Sequence, residues 1–238
     1  MIADMFSGKG YLVLIDPDKQ SPEEAGELAA KAEKCGADAI MVGSSIILEG
    51  TLKKSVKEIK KRCKLPVILF PGASSHMSRD ADAVFFMSLL SGRNADFLIG
   101  EQVKAAPVVY KYGLEAIPMA YMLVSSGKMT SVEFMSNTKP LPSDKPDIAV
   151  AHALAAKYLG MKVIYLEAGS GAKESVPDEL ISAIKKYVDL PIIVGGGIRS
   201  PEVAAKKIKA GANFIVTGTA IEEDSSVIEN FSRAIKSC

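Results

Sequence analysis

Apolar and polar positions come in blocks along this chain rather than alternating residue by residue. Eight short runs are built almost entirely from apolar side chains, many of them β-branched or aromatic: residues 11–16 (YLVLID), 39–43 (AIMVG), 66–70 (PVILF), 83–90 (AVFFMSLL), 116–124 (AIPMAYMLV), 162–167 (KVIYLE), 191–195 (PIIVG) and 214–218 (FIVTG). Unbroken apolarity of this length is what strands covered on both faces show, as in a parallel sheet wrapped by helices. The segments between most of the runs read as amphipathic helices. Ser21-Pro22-Glu23-Glu24 offers an N-cap, a proline in the first turn and a capping-box glutamate. Ala25, Leu28, Ala29, Ala32 and Cys35 then share one face. Ser200-Pro201-Glu202 repeats the entry signal, and Gly36 and Gly211 stand where a left-handed cap ends such a helix.

Eight buried strands alternating with helices predict a (β/α)8 TIM barrel spanning residues 1–238 as a single domain, with a doubly wound sheet as the alternative. One link departs from the pattern. Residues 71–82 (PGASSHMSRDAD) are too few and too rich in Gly, Ser and Asp for a covering helix. The expected barrel is therefore a modified one, in which a short loop replaces the helix after the third strand. After the fifth strand, residues 125–160 leave room for a loop and then a helix from about Asp147. GADAI at 36–40 echoes GANFI at 211–215, and LPVI at 65–68 echoes LPII at 190–193, so similar helix-to-strand junctions recur.

Composition narrows the function. The chain has 238 residues, with 29 Lys and Arg against 28 Asp and Glu, a formal net charge of +1. That balance, with no tryptophan and 6% aromatic residues, argues against a nucleic-acid surface. No apolar run approaches the roughly 18 residues of a membrane span, and residues 1–10 lack the apolar core of a secretion signal. A cytoplasmic protein is expected. Cys35, Cys63 and Cys238 are odd in number and lack metal-ligand spacing, so no disulfide framework is expected.

In such barrels the chemistry gathers at the carboxyl ends of the strands. Those positions hold Asp16 and Asp18, Ser44 and Ser45, then Glu167-Ala168-Gly169-Ser170-Gly171, Gly195-Gly196-Gly197-Ile198-Arg199 and Gly218-Thr219. Glycine clusters after three consecutive strands let backbone N–H groups approach an anion, which predicts a phosphate grip. The GGG run has neither the spaced third glycine nor the ribose-binding acid of a dinucleotide site. Asp16, with Ser45 beside it on the next strand, is a candidate Mg²⁺ site, since this ion takes one or two carboxylates plus phosphate oxygens and water. Glu167, after KVIYL, is a candidate general base with Tyr165 nearby. His76 and His152 are isolated from each other and from any Ser/Asp pattern and are read as ordinary satisfied side chains.

LIDPDK, MVGSS, YLEAGSGA, VGGGIRSPE and TGTAIEED, in this order, together with SNTKPLP at 136–142, resemble the geranylgeranylglyceryl phosphate synthases of archaea and their bacterial heptaprenylglyceryl phosphate relatives. The resemblance implies a barrel missing its third helix. It also implies transfer of a geranylgeranyl group from its diphosphate to the 3-hydroxyl of sn-glycerol 1-phosphate, the first ether bond of archaeal membrane lipids. By the same resemblance, Asp16 and Ser45 would hold Mg²⁺, and Glu167 would be the base. Tyr165, Leu166, Glu167, Ala168, Gly169, Ser170, Gly171, Gly195, Gly196, Gly218 and Thr219 would hold glycerol 1-phosphate. Where the family often has a second glycine before the metal-site serine, this chain has Ser44. The resemblance further implies a homo-oligomer, a cytoplasmic enzyme without a membrane span and transient contact with a membrane. Residues 97–112 with Met87, Met119 and Met122 are candidates to line a lipid groove that leaves through the gap after the third strand. A longer-chain heptaprenyl donor, a sugar-phosphate isomerase or synthase, and a non-catalytic phosphate-binding barrel remain as alternatives.

Overall fold

The computed structural model describes residues 1–47 and 51–238. Its eight parallel strands are β1 (Gly10–Ile15), β2 (Ala39–Val42), β3 (Val67–Leu69), β4 (Ala83–Leu89), β5 (Glu115–Leu123), β6 (Val163–Glu167), β7 (Ile192–Gly195) and β8 (Phe214–Thr217). They pair in sequence order, and β8 pairs back onto β1 to close the barrel. The apolar runs are these strands, with their ends displaced by about a residue. Alternation decides which layer each side chain enters. Leu12, Met41, Ile68, Phe85, Met119, Tyr165 and Phe214 fill the barrel interior. Val13, Ile40, Val84, Ile164 and Ile215 face outward into the layer packed by helices.

The helices are α1 (Pro22–Lys34), α2 (Leu52–Arg62), α3 (Glu101–Tyr112), α4 (Ser131–Ser136), α5 (Pro146–Tyr158), α6 (Asp178–Tyr187), α7 (Pro201–Ala210), α8 (Thr219–Glu223) and α9 (Ile228–Lys236). The capping box before α1 is complete: Ser21 Oγ accepts from the Glu24 N–H at 3.2 Å, and Glu24 Oε2 accepts from the Ser21 N–H at 2.8 Å. Reciprocal pairing of this kind satisfies two N–H groups that a helix start otherwise leaves orphaned. Ser200 caps α7 in the same sense, accepting from the Val203 N–H at 3.4 Å.

No helix lies between β3 and β4, as the short link requires. There β3 holds β4 through two residue pairs only, Ile68 with Ala83 and Leu69 with Val84. The helical coat is open at this point, and the nearest cover is α3, entered through a π-helical turn at Asp96–Gly100. At the opposite, amino-terminal end a 3₁₀ turn at Ile2–Ser7 seals the barrel. Phe6 is fully buried there, its ring 5.0 Å from that of Phe214 and 5.7 Å from that of Phe85. Among the described residues no helix is long and apolar enough to cross a membrane.

Candidate active site

A cavity of about 510 Å³ opens at the carboxyl ends of the strands. One end is polar and lined by Asp16, Ser44, Ser45, Glu167, Ser170, Gly171, Gly196, Gly218 and Thr219. The other is apolar and runs over Met77, Val84, Phe86, Met87, Phe97 and Ala105, that is, through the gap left by the missing helix. A single depression therefore joins charge-handling groups to a hydrocarbon-compatible groove.

Glu167 ends β6 at the junction. Its side chain is inward-pointing and only 7% exposed, and its Oε1 accepts the Gly169 N–H at 2.6 Å. Burial pushes the carboxyl up from 4.5 to about 7, against the opposing pull of the Gly169 N–H and the Tyr165 hydroxyl. A carboxylate so poised can take a proton from a hydroxyl near neutral pH. Tyr165 lies on the same inward face, stacked on Tyr121 with ring centroids 5.4 Å apart. Its hydroxyl is buried without a hydrogen-bond partner among the described residues. It lies close enough to Glu167 to sense the carboxylate's charge, which together with burial holds the phenol well above its ordinary range. An unsatisfied buried hydroxyl is costly unless a ligand completes it, so a polyol is the kind of molecule this spot accommodates.

The glycines after β6 and β7 make room for that carboxylate. A Cβ on Gly195 would collide with the Tyr165 hydroxyl and stand 3.1 Å from Glu167 Oε2. One on Gly196, whose φ is +79°, would collide with Glu167 Oε1 and lie 2.7 Å from the Gly169 nitrogen. The predicted grip thus divides into two kinds of residue. Ser170, Gly171, Gly196, Gly218 and Thr219 line the cavity. Gly169 and Gly195 stand behind them as space-makers, and Leu166 and Ala168 turn their side chains into the outer helical layer.

Asp16 and Ser45, the candidate metal-site pair, both line the polar end of the cavity. Asp16 accepts the Asp18 N–H at 3.1 Å and the Ser44 hydroxyl at 3.0 Å, with Lys19 Nζ 4.0 Å away. Among the described residues there is no group of three or more His, Cys, Asp or Glu side chains of the kind that cages a metal. One carboxylate with neighbouring serine hydroxyls fits Mg²⁺, which keeps its waters and takes phosphate oxygens, and does not fit a closed zinc site.

Of the groove candidates, Met87, Phe97, Glu101, Gln102 and Ala105 line the cavity. Met119 belongs instead to the barrel interior, and Met122 faces outward into the helical layer. Strand alternation turns Met122 away from the cavity, whereas Met119 shares the inward face of Tyr121 but is packed within the barrel core and does not line the cavity. Lys19, Glu222 and Arg199, which fall inside the strand-end motifs without a role assigned to them, also line the cavity, and Lys19 bridges to Glu222 at 2.8 Å. Tyr121 and Thr130, which also face the cavity, carried no functional signal in the sequence. His152 is ordinary, its Nδ1 2.7 Å from the Ile148 carbonyl and its Nε2 3.3 Å from Arg93. His76 lines the cavity.

The sequence profile of the PcrB family matches residues 3–237. A geranylgeranylglyceryl phosphate synthase of Thermococcus kodakarensis is 51% identical over 235 residues, covering 96% of this chain and 92% of that protein. One of the same name from Chitinophaga pinensis is 46% identical over 227 residues, with 95% and 90% covered. The crystal structure of (S)-3-O-geranylgeranylglyceryl phosphate synthase from Thermoplasma acidophilum, in complex with substrate sn-glycerol-1-phosphate, superposes with a TM-score of 0.93 at 38% identity, covering 100% of this chain and 97% of that one. An N-acetylmannosamine-6-phosphate 2-epimerase from Clostridium perfringens shares the fold at a TM-score of 0.56 and 18% identity.

Proposed function

The chain belongs to the PcrB family, and from that premise we infer that it is a prenyltransferase with the activity of its geranylgeranylglyceryl phosphate synthase relatives. It joins the 3-hydroxyl of sn-glycerol 1-phosphate to geranylgeranyl diphosphate and releases pyrophosphate. The observation that carries this reading is the position of Glu167, a buried carboxylate where the glycine-lined polar end of one cavity meets its apolar groove.

Each part of the substrate pair finds matching chemistry. The phosphate of glycerol 1-phosphate is read by the backbone around Gly171, Gly196 and Gly218-Thr219, where N–H groups approach an anion without a side chain between. Its hydroxyls reach Glu167 and the unpaired Tyr165 hydroxyl. Glu167 takes the proton of the 3-hydroxyl as its oxygen bonds to C1 of the prenyl chain. The electron pair of the breaking C1–O bond leaves with pyrophosphate. Asp16 and Ser45 are the residues that would hold Mg²⁺, an ion that when bound neutralises diphosphate charge. The hydrocarbon tail lies over Met77, Val84, Phe86 and Ala105, where burial returns about 0.8 kcal/mol per CH₂.

The same reading carries a cytoplasmic homo-oligomer that meets membranes transiently to reach its lipid-tailed donor. The exposed apolar side chains of Ile99, Val103 and Tyr110 support the oligomer, and Met129, Phe134 and Met135 around α4 support the membrane contact. A donor longer than the geranylgeranyl group is the second reading, favoured because the groove runs out through an open gap rather than into the closed core. The test is direct: purified protein with Mg²⁺, glycerol 1-phosphate and geranylgeranyl diphosphate must release pyrophosphate and form the ether. No release under those conditions overturns the transferase reading.

A further inference from the structure

The loop that replaces the third helix contributes a side chain that no part of the reaction described above uses. His76 sits in this β3–β4 link, half-buried, on the wall of the cavity. The Gly72 N–H donates to its Nδ1 at 3.2 Å. A neutral imidazole accepts at one nitrogen and donates at the other, so that bond fixes the tautomer and places the proton on Nε2. Among the described residues Nε2 has no hydrogen-bond partner. Burial also holds the ring's affinity for a second proton below its ordinary value, although the charges of Asp18 and Glu101 pull the other way.

Gly72 in turn is wedged against the end of β2. A Cβ there would lie 2.6 Å from the carbonyl oxygens of both Ser44 and Ser45. The ring is therefore registered to the same backbone that presents Ser45 to the cavity. A second tether comes from α3, because Glu101 Oε2 accepts the Ser74 N–H at 2.6 Å and thereby anchors the loop. Immediately after His76, Met77 is buried and faces the groove. His76 thus stands at the boundary between the Asp16–Ser45 end and the apolar groove. That is where the diphosphate of a prenyl donor joins its hydrocarbon chain.

We propose that His76 is a substrate-contacting residue of the transferase, its Nε2–H donating a hydrogen bond to the diphosphate of the prenyl donor and to the pyrophosphate that leaves. The assignment rests on the transferase reading and deepens it. Hydrogen bonds to an anion are stronger than those between neutral groups, and this one grows as charge accumulates on the departing oxygen.

The test compares the wild type with His76→Ala and His76→Gln, the latter keeping a donor at similar reach. Steady-state kinetics with both substrates are paired with calorimetric titration of inorganic pyrophosphate in the presence and absence of Mg²⁺. His76→Ala is expected to raise both the KM for the prenyl diphosphate and the Kd for pyrophosphate roughly tenfold. The KM for glycerol 1-phosphate stays unchanged, and His76→Gln recovers most of the loss. Unchanged pyrophosphate affinity in His76→Ala overturns the assignment, as does an equal rise in both KM values or a failure of Gln to restore binding. A wild type that binds pyrophosphate yet never turns over overturns the transferase reading instead, and the titrations still decide the role of His76.

Discussion

Glu167 Oε1 accepts a 2.6 Å hydrogen bond from the N–H of Gly169, two residues downstream at the mouth of the barrel. The bond depends on the backbone of Gly169, whose φ of +106° is a conformation that side chains of L-residues rarely allow. It is the stronger of the two pulls opposing burial, which lifts the carboxyl to about 7. Lone burial of a carboxylate would keep it protonated and useless as a base, while a fuller set of donors would leave it too weak to take a proton. The residue is thus balanced between the two states near neutral pH.

The balance sets a pH dependence. Because the base must be ionised, kcat/KM should rise with pH through about 7 and level off above it. Glu167→Gln should lower turnover by roughly 10²- to 10⁴-fold and abolish this limb. Stability runs in the opposite direction. A carboxyl raised in the folded state favours folding fully below its unfolded value near 4.5, and that advantage is lost as pH rises through about 7. At pH 8 the Gln variant should therefore melt above the wild type, by an amount reaching at most about 3 kcal/mol, and the gap should close toward pH 4. A flat pH–rate profile down to pH 5, or a Gln variant less stable at pH 8, would contradict the role given to this side chain.

Gly196→Ala tests the space around that carboxylate. The added methyl would collide with Glu167 Oε1 on a backbone at φ +79°, so both sterics and strain oppose it. A cost of about 1–3 kcal/mol is expected, with turnover reduced at least a hundredfold as the base is pushed from its position. Gly160→Ala, away from the cavity after α5, is the matched control. Its φ is +78°, yet nothing lies within 4 Å of the new Cβ, so only backbone strain of about 1–2 kcal/mol applies. Thermal melts and kinetics of the pair separate the two effects, and equal behaviour of the two variants would refute the crowding argument.

How much of this was legible in the sequence follows from what each signal rests on. Strand positions were legible because burial on both faces demands unbroken apolar runs, and the missing helix because 71–82 is too short to hold one. The cavity-lining ends of β1, β2, β6, β7 and β8 were legible because glycine and polar residues stand there in place of apolar ones. What stayed hidden depends on contacts distant in sequence. The 3₁₀ seal at Ile2–Ser7 has too few residues to show a period, and what fixes it is Glu115 accepting the N–H groups of Ile2 and Ala3 at 2.7 and 2.8 Å. The six-residue α4 is similarly short; it starts where Thr130 accepts from the Glu133 N–H at 3.1 Å. His76 read as ordinary because the partner that fixes its tautomer is a backbone N–H, which has no signature in a sequence.

Ser44 offers a test of the proposed cation site. Its hydroxyl donates to Asp16 Oδ2 at 3.0 Å, orienting the carboxylate through a contact that glycine cannot make. Ser44→Gly should leave the fold intact and raise the Mg²⁺ concentration for half-maximal activity several-fold, since losing such a supporting partner costs about 10- to 100-fold in affinity at established metal sites and Asp16 here keeps 17% of its side chain in water. Chelation should abolish turnover in both proteins, and Mg²⁺ should restore it. An unchanged Mg²⁺ requirement in Ser44→Gly would show that Asp16 needs no such support.

The groove makes the last prediction. Ala105 on α3 is 4% exposed and lines the apolar end of the cavity, opposite the open gap between β3 and β4. A small side chain at that point leaves room along the path of a long hydrocarbon. Ala105→Phe would fill it, with an overpacking cost of about 1–3 kcal/mol that a melting curve reads separately. If the tail lies there, kcat/KM for geranylgeranyl diphosphate should fall at least tenfold. Geranyl diphosphate, whose chain is half as long, should be affected much less, so the preference among donors shifts toward short chains. Competition assays across donors from geranyl to heptaprenyl diphosphate measure this shift. A variant that folds and loses activity equally with every donor would place the tail elsewhere, because a block in the groove must discriminate by length while damage to the polar end must not.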